Sequence, residues 1–457
     1  MSLLNIGVSA LTTAQTSLAT VSHNISNVNT EGYNRQRAEQ VTQIPDFVGG
    51  RYIGSGVTVG GIERVFDAFL SNQVRTYTSQ ASQAGTFVQA SQQIDNLLSS
   101  PEVGLNSGLE DFFNAVHEVA NDPTSISART VMLSQGELLA NRFNTLDQQI
   151  NNIDKQIDNS LTVSVQEINN ISKAIAELNV AIVQATGSSN SSPNDLLDQR
   201  DKLINDLSEF VSVETLAEST GAVSVFVGSG QALVVGSSQI DLHAIADTST
   251  TPPRVAIGYG SSMVDISAQL NGGSIGGSFQ VRTDVIDTAR ADLNTLASAV
   301  VSSFNTVQTA GIDLDGNAGT NFFDPTGTTA GTINVILTDP RDIAASSTTN
   351  SGVGNNLNAL AMADLQTAKT LAAGTQTYAD AYGVIVANVA TRTHQADVSE
   401  QTQVGLLNQV KLQFDSKSGV NLDEEAANLI KLQQAYQAAS QIITVSNTIF
   451  NALLQAV

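Results

Sequence analysis

The chain has 457 residues, 14% of them charged, and 20 Lys plus Arg against 43 Asp plus Glu give a net charge of −23. That balance argues against nucleic acid and anionic membrane surfaces as partners, because both need clustered cations. No cysteine is present, which excludes disulfides, thiolate catalysis and zinc–thiolate sites, and no run of 18 apolar residues offers a transmembrane helix.

In chain order, the N-terminal end reads as a helix with a seven-residue repeat. Leu4, Leu11, Leu18 and Ile25 are seven apart, each followed three residues later by Gly7, Ala14, Val21 and Val28. This is the pattern of a narrow coiled-coil seam. It stops at the turn signal Asn29-Thr30-Glu31-Gly32. Residues 40–65 hold glycines among Tyr52, Ile53, Val57 and Val59, which predicts a short extended loop or hairpin. From 66 to 210 the period is helical. Phe69 to Leu98, Leu109 to Val116, Ser125 to Gln184 and Leu196 to Phe210 mark four helices. The carboxylates of these helices are spread like solvated faces.

From Val211 the period becomes two, with Val223, Val225, Val227, Leu233 and Val235 among Gly and Ser. This β-rich stretch ends at Gly272-Gly273-Ser274-Ile275-Gly276-Gly277, read as a flexible return. Helices resume from Phe279 to Thr309 and from Leu357 to Phe414, with a Gly- and Thr-rich segment between. The C-terminal end repeats the heptad pattern at Leu422, Leu429, Tyr436, Ile443 and Phe450, with Leu432, Ala439 and Leu453 between. Asp423, Glu424 and Glu425 favour a helix start there. The expected fold is mainly α with β insertions. A terminal coiled-coil domain takes residues 1–35 and 416–457. A helical bundle domain takes 36–210 and 277–415, with a β loop at 40–65. A β-rich domain is inserted at 211–276.

Residues 1–64 carry four acidic and four basic side chains, so the N-terminal zone is neutral, and residues 401–457 are at net −1. Neutral ends can meet copies of themselves while an acidic middle stays solvated. The heptads leave two readings, an intramolecular hairpin that closes one domain or a polymerisation interface, and the charge pattern favours the second.

Little in the chain resembles a reaction centre. Ser274 within Gly272-Gly273-Ser274-Ile275-Gly276 fits the nucleophile-elbow pattern, with His394 downstream, but the preceding segment is only weakly apolar. Asp313, Asp315, Asn317, Asn321 and Asp324 are spaced like a calcium loop, but Ala318 stands where the tight turn wants glycine. His23, His117, His243 and His394 are scattered, without a second ligand at metal spacing.

Three stretches carry a family resemblance. The first runs from Ser2 through Ser22-His23-Asn24-Ile25-Ser26-Asn27-Val28-Asn29-Thr30-Glu31-Gly32-Tyr33-Asn34-Arg35-Gln36. It resembles the N-terminus shared by the bacterial flagellar rod–hook axial family. The second, Gly419-Val420-Asn421-Leu422-Asp423-Glu424-Glu425, resembles that family's C-terminus. The inner stretch Ser192-Pro193-Asn194-Asp195-Leu196-Leu197-Asp198-Gln199-Arg200-Asp201 is similar to the members at the hook–filament junction.

The resemblance implies a structural adaptor between hook and filament, needed for filament assembly, with no catalytic residue, metal or cofactor. It would polymerise through Leu4, Leu11, Leu18, Ile25, Leu422, Leu429, Tyr436, Ile443 and Phe450. The implied partners are copies of itself in a ring or helical lattice, the hook protein, the second junction protein (hook-associated protein 3) and a dedicated export chaperone at the C-terminal region. The implied location is extracellular, in the flagellum, after export through the flagellar type III apparatus. Relatives carry a further β domain where this chain has only residues 324–345. Two alternatives remain, a sister axial protein of the hook or rod, and a secreted hydrolase built around Ser274.

Overall fold

A computed structural model describes residues 3–48, 50–188, 192–348 and 352–456. Helix α1 (Leu3–Ser26) leads into a β ribbon of β1 (Gln36–Thr42), β2 (Asp46–Val48), β3 (Arg51–Ile53) and β4 (Val57–Arg64). Strands β1 and β4 pair antiparallel from Gln36↔Arg64 to Thr42↔Val57, with a bulge at Glu39/Gln40, and β2 pairs with β3. Four helices follow: α2 (Ala68–Ser99), α3 (Leu105–Asn121), α4 (Ile126–Ser188) and α5 (Asn194–Leu207).

The β-rich stretch forms two sheets. Strands β5 (Val213–Ala217), β6 (Val223–Val227), β7 (Gln231–Val235) and β8 (Ser238–Gln239) make a four-stranded meander. Strands β9 (Leu242–Asp247), β10 (Arg254–Tyr259) and β11 (Val264–Asp265) make a three-stranded one. Both lie against α4. Helix α6 (Gly273–Val281) continues through a π-helical turn at Arg282–Ile286 into α7 (Asp287–Ala310). A mostly irregular excursion holds the short pair β12 (Gly311–Ile312) and β13 (Ser346–Ser347). Helices α8 (Leu357–Asp364), α9 (Tyr378–Ser418) and α10 (Leu422–Ala456) complete the chain. The fold is mainly α with β insertions, as the periodicities predicted.

The main core follows α4 from Met132 to Ala176 and takes in residues of both β sheets and of α6 to α9. Phe112 of α3 meets Phe304 of α7 and the Phe322–Phe323 pair of the excursion, whose ring centroids are 4.8 Å apart, while Phe113 stacks on Tyr378 of α9. Helices α2 and α9 run antiparallel beside this core. The Tyr382 hydroxyl donates to Leu98 O at 2.6 Å at one end, and Lys417 pairs with Asp67 at 2.9 Å at the other.

Several expectations are corrected. The glycines at 272–277 do not make a flexible return. Helix α6 begins at Gly273, and a Cβ on Gly277 would stand 2.4 Å from Gln83 O, so glycine lets α6 lie directly on the α2 backbone. Not all helix carboxylates are solvated. Asp154 of α4 is buried and accepts from Arg254 Nε at 2.7 Å and Arg282 Nε at 2.9 Å. This fastens the β sheets and the π-helical turn to α4. The ribbon at 36–64 lies along α1 and is also bonded to α5 of the helical layer.

The seam is also redistributed. Helices α1 and α10 are antiparallel, with Gly7 against Ile443 and Asn24 against Glu425. In α1 the buried row is Gly7, Ala14 and Val21, with Thr13, Ser17, Thr20 and Asn24 beside it. Leu4, Leu11, Leu18 and Ile25 are only half-buried. A Cβ on Gly7 would come within 2.9 Å of Ile443 Cγ1, so the helices approach through small residues and the leucines fall to the flank. In α10, Leu429 and Ile443 are half-buried, whereas Leu422, Tyr436 and Phe450 are exposed. The side chain of Leu453 lies outside the described residues.

Candidate functional site

The terminal helices and the helical layer meet at a polar clasp built around Asn24. Its amide satisfies every hydrogen-bonding position it has. Oδ1 accepts from the Tyr33 hydroxyl at 2.7 Å and from the Gln36 N–H at 2.9 Å. Nδ2 donates to Gln36 O at 2.9 Å and to Glu425 Oε2 at 3.3 Å. Glu425 is almost fully buried, and Arg35 Nε stands 2.8 Å from its Oε1 while Arg35 Nη1 reaches Glu424 at 2.7 Å. A buried carboxylate is costly unless paired and hydrogen-bonded, and here it has both kinds of partner. The Arg35 N–H donates to Ser418 O at 2.8 Å, which fixes the turn from α9 to α10. Gly419 caps α9 through Asp415 O, and Asn421 Oδ1 accepts from the N–H of Asp423 at 3.0 Å, capping α10.

The other side of the clasp is α5. The Asn34 N–H and Nδ2 donate to Asp198 at 3.0 and 2.6 Å. Arg64 of β4 bridges Asp198 at 3.0 Å and Asp201 at 2.6 Å. Gln36 Nε2 donates to Asp195 at 2.7 Å, and Asn194 Nδ2 donates to Ile62 O at 2.8 Å. Burial pushes the Asp198 carboxyl above the usual carboxylate range, against the pull of Asn34 and Arg64. Burial, with Asp195, Asp198 and Glu425 nearby, also pushes the Tyr33 phenol up, so it remains a proton donor to Asn24.

The expected motif residues divide accordingly. Asn24, Tyr33, Glu424, Glu425 and Asn421 enter the clasp. Asn27 and Thr30 shape the turn after α1, where the Thr30 N–H donates to Asn27 O at 2.9 Å. Ile25 and Val420 are half-buried beside it; Ser22, Asn29, Gly32 and Leu422 face outward. His23 stands 3.4 Å from Asp195 and edge-on to Tyr33. Arg64 went unnoticed in the sequence, where a lone arginine after a Gly-rich segment gives no signal.

The chemical candidates take ordinary structural places. Ser274 lies in the first turn of α6 after a 3-10 turn, not after a buried strand, and its buried Oγ has no hydrogen-bond partner. No histidine serves it, so Ser274→Ala is expected to leave assembly and motility unchanged. The melting temperature should not fall, because an unsatisfied buried hydroxyl is removed. Loss of motility in a variant that still folds and assembles would reinstate the serine. In the loop at 313–324, Asp313 Oδ1 accepts the N–H groups of Asp315 and Asn317, and the Asp315 carboxylate is held by Arg341. The loop is an Asx-stabilised turn closed by an ion pair.

Three family models match the three pieces that the clasp unites. "Flagella basal body rod protein" matches residues 4–34, "Flagellar basal body rod FlgEFG protein C-terminal" matches 412–456, and "Flagellar hook-associated protein FlgK helical domain" matches 91–323. Flagellar hook-associated protein 1 of Escherichia coli strain K12 is 31% identical over 543 residues, covering 99% of both chains. The chain belongs to the flagellar hook-associated protein 1 family. Another relative of that name, from Bacillus subtilis strain 168, is 27% identical and covers 97% of this chain and 96% of its own. The solved flagellar hook junction protein FlgK from Burkholderia pseudomallei shares the fold, with a TM-score of 0.69 at 20% identity, covering 75% of this chain and 99% of that one. Flagellar hook-associated protein 1 is a structural component of the bacterial flagellum, and its family is not one of enzymes.

Proposed function

We propose that this chain is the adaptor between hook and filament, that it polymerises through its terminal helices, and that it performs no catalytic step. The observation that carries this reading is a second heptad stripe on α10. Ala435, Ala438, Ile442, Val445, Ile449 and Ala452 recur at three- and four-residue intervals, and all are exposed. Helix α1 covers the neighbouring face and reaches this stripe at Ile442, where Gly7 packs against it. From the Gly7–Ile443 contact, α1 extends just four described residues further, whereas α10 continues to Ala456. An apolar helical stripe without a covering layer is the kind of surface that protein partners bury.

In this reading the terminal pair, with the ribbon laid on it, is the assembling unit. The helical layer and the β-rich stretch at 211–276 are the bodies it carries. The partners are further copies in a ring or helical lattice, the hook protein on one side and hook-associated protein 3 on the other. A dedicated export chaperone holds the C-terminal region until the chain leaves through the flagellar type III apparatus for the cell exterior. A strain lacking the gene is expected to bear hooks without filaments and to release flagellin into the medium. Normal filaments in that strain would overturn the adaptor reading.

A further inference from the structure

The outer end of the β ribbon is unexplained by the clasp or by the terminal helices. Among the described elements β2 and β3 pair only with each other, and a lone two-stranded ribbon is marginal in water. Yet this end displays Ile44, Phe47, Tyr52 and Ile53, at 89, 64, 76 and 50% exposure. Phe47 and Tyr52 are a cross-strand pair with ring centroids 5.0 Å apart. Exposed aromatic pairs of this kind mark contact surfaces.

A complementary surface lies at the base of the same ribbon. A groove of about 550 Å³ runs between α1 and β4; Leu4, Val8, Val57 and Val59 give it apolar patches among uncharged polar side chains such as Thr12, Thr16 and Gln43, and no charged side chain lines it among the described residues. The ribbon does not fill its own groove. The β1–β4 ladder ends at Thr42↔Val57, Gly56 lies against Ser9 of α1, and the β2–β3 pair with Phe47 and Tyr52 follows as a separate ladder whose residues do not line the groove.

Charge selects the occupant. Residues 1–64 are neutral in a chain of net charge −23, so this zone is where two copies approach without like-charge repulsion. The tip itself carries one acid, Asp46, and one base, Arg51. We propose that the Phe47–Tyr52 tip of one copy seats in the α1–β4 groove of a second copy of this chain. Tip and groove are different surfaces, so the contact is head-to-tail and propagates around a ring or along a helix. The contact rests on the axial-assembly reading given above.

The test uses purified full-length protein added to hooks that lack filaments. The chain has no cysteine, so Tyr52→Cys and Val8→Cys can be introduced together and bridged by a short bis-maleimide after incorporation. The double variant is expected to yield a ladder of covalent dimers, trimers and higher multimers, while each single variant does not. Phe47→Ser/Tyr52→Ser is expected to join hooks at least about tenfold less well, a loss typical of central aromatic anchors. Its melting temperature should be unchanged, because the tip supports nothing else in its own chain.

An incorporated double variant without a ladder, or with only an intramolecular bridge, overturns the contact. So does a bridge to the hook protein instead of to itself, or wild-type incorporation of the serine variant. These outcomes leave the adaptor reading standing. If the unmodified protein itself fails to join hooks, the adaptor reading falls and the contact falls with it.

Discussion

Val445→Asp/Ile449→Asp is expected to abolish filament growth while leaving the free protein folded. Both side chains are about half exposed, at 55 and 47%, so in the single chain their carboxylates remain in water. Once a neighbour covers that stripe, each carboxylate must be desolvated without a partner. Several kcal/mol per group is then lost, or a proton must be taken up. Two such groups lower incorporation by well over about a hundredfold, since 1.4 kcal/mol is a factor of ten. The measurement is filament formation after adding the variant to filament-less hooks, which bypasses export, paired with thermal melting of the free protein. Wild-type incorporation would remove the stripe from the assembly surface. A lowered melting temperature would instead mean that the stripe already serves the single chain. Leu429 is less suited to this test, because it is half-buried beside α1, where an aspartate would disturb both states.

Asp198→Ala is expected to open the clasp. The substitution leaves the buried Asn34 N–H without an acceptor, leaves the Asn34 amide only its longer bond to Gly32 O at 3.3 Å, and removes one of the two carboxylates that hold Arg64. Asp201 keeps the other half of that pair, so the cost is about 2–4 kcal/mol rather than that of a fully orphaned charge. The readout is trypsin cleavage after Arg35 and Arg37, which should become fast in the variant while the α3–α4 core stays resistant. Unchanged cleavage would show that α5 does not hold the terminal helices.

Mild acid should not mimic this variant. The Asp198 pKa is raised in the folded state, so protonation favours the fold between the unfolded value and the raised one. Stability from this group therefore increases as pH falls through that window and declines as pH rises through it. Cleavage that accelerates between pH 7 and pH 5 would have to come from another group.

The helices and the β-rich stretch were legible because their periods differ, 3.6 against 2, and each was long enough for its period to be read. The terminal seam was legible as a repeat but not as a packing face. Leu4, Leu11, Leu18 and Ile25 are the largest residues of the α1 repeat. Close approach of α10 selects the smallest, Gly7 and Ala14, a choice made by the partner helix and not by α1 alone. The clasp was legible as three motifs but not as one place, because its hydrogen bonds join residues up to 401 positions apart. The Asp154–Arg254–Arg282 network was invisible for the same reason. An acid inside an amphipathic helix looks solvated until a distant arginine is folded against it.

The span of the clasp bears on the order of folding. Asn24 finds its full set of partners only when Glu425, near the other end of the chain, is present, and Asn34 only when α5 has formed. Helices α3 and α4 need only neighbouring sequence and can form early, whereas the clasp closes loops of hundreds of residues, the slow class of folding event. A chain emerging from a narrow passage, from either end, thus lacks the clasp until nearly its whole length is free. On this ground the terminal unit is expected to be completed last, after the helical layer.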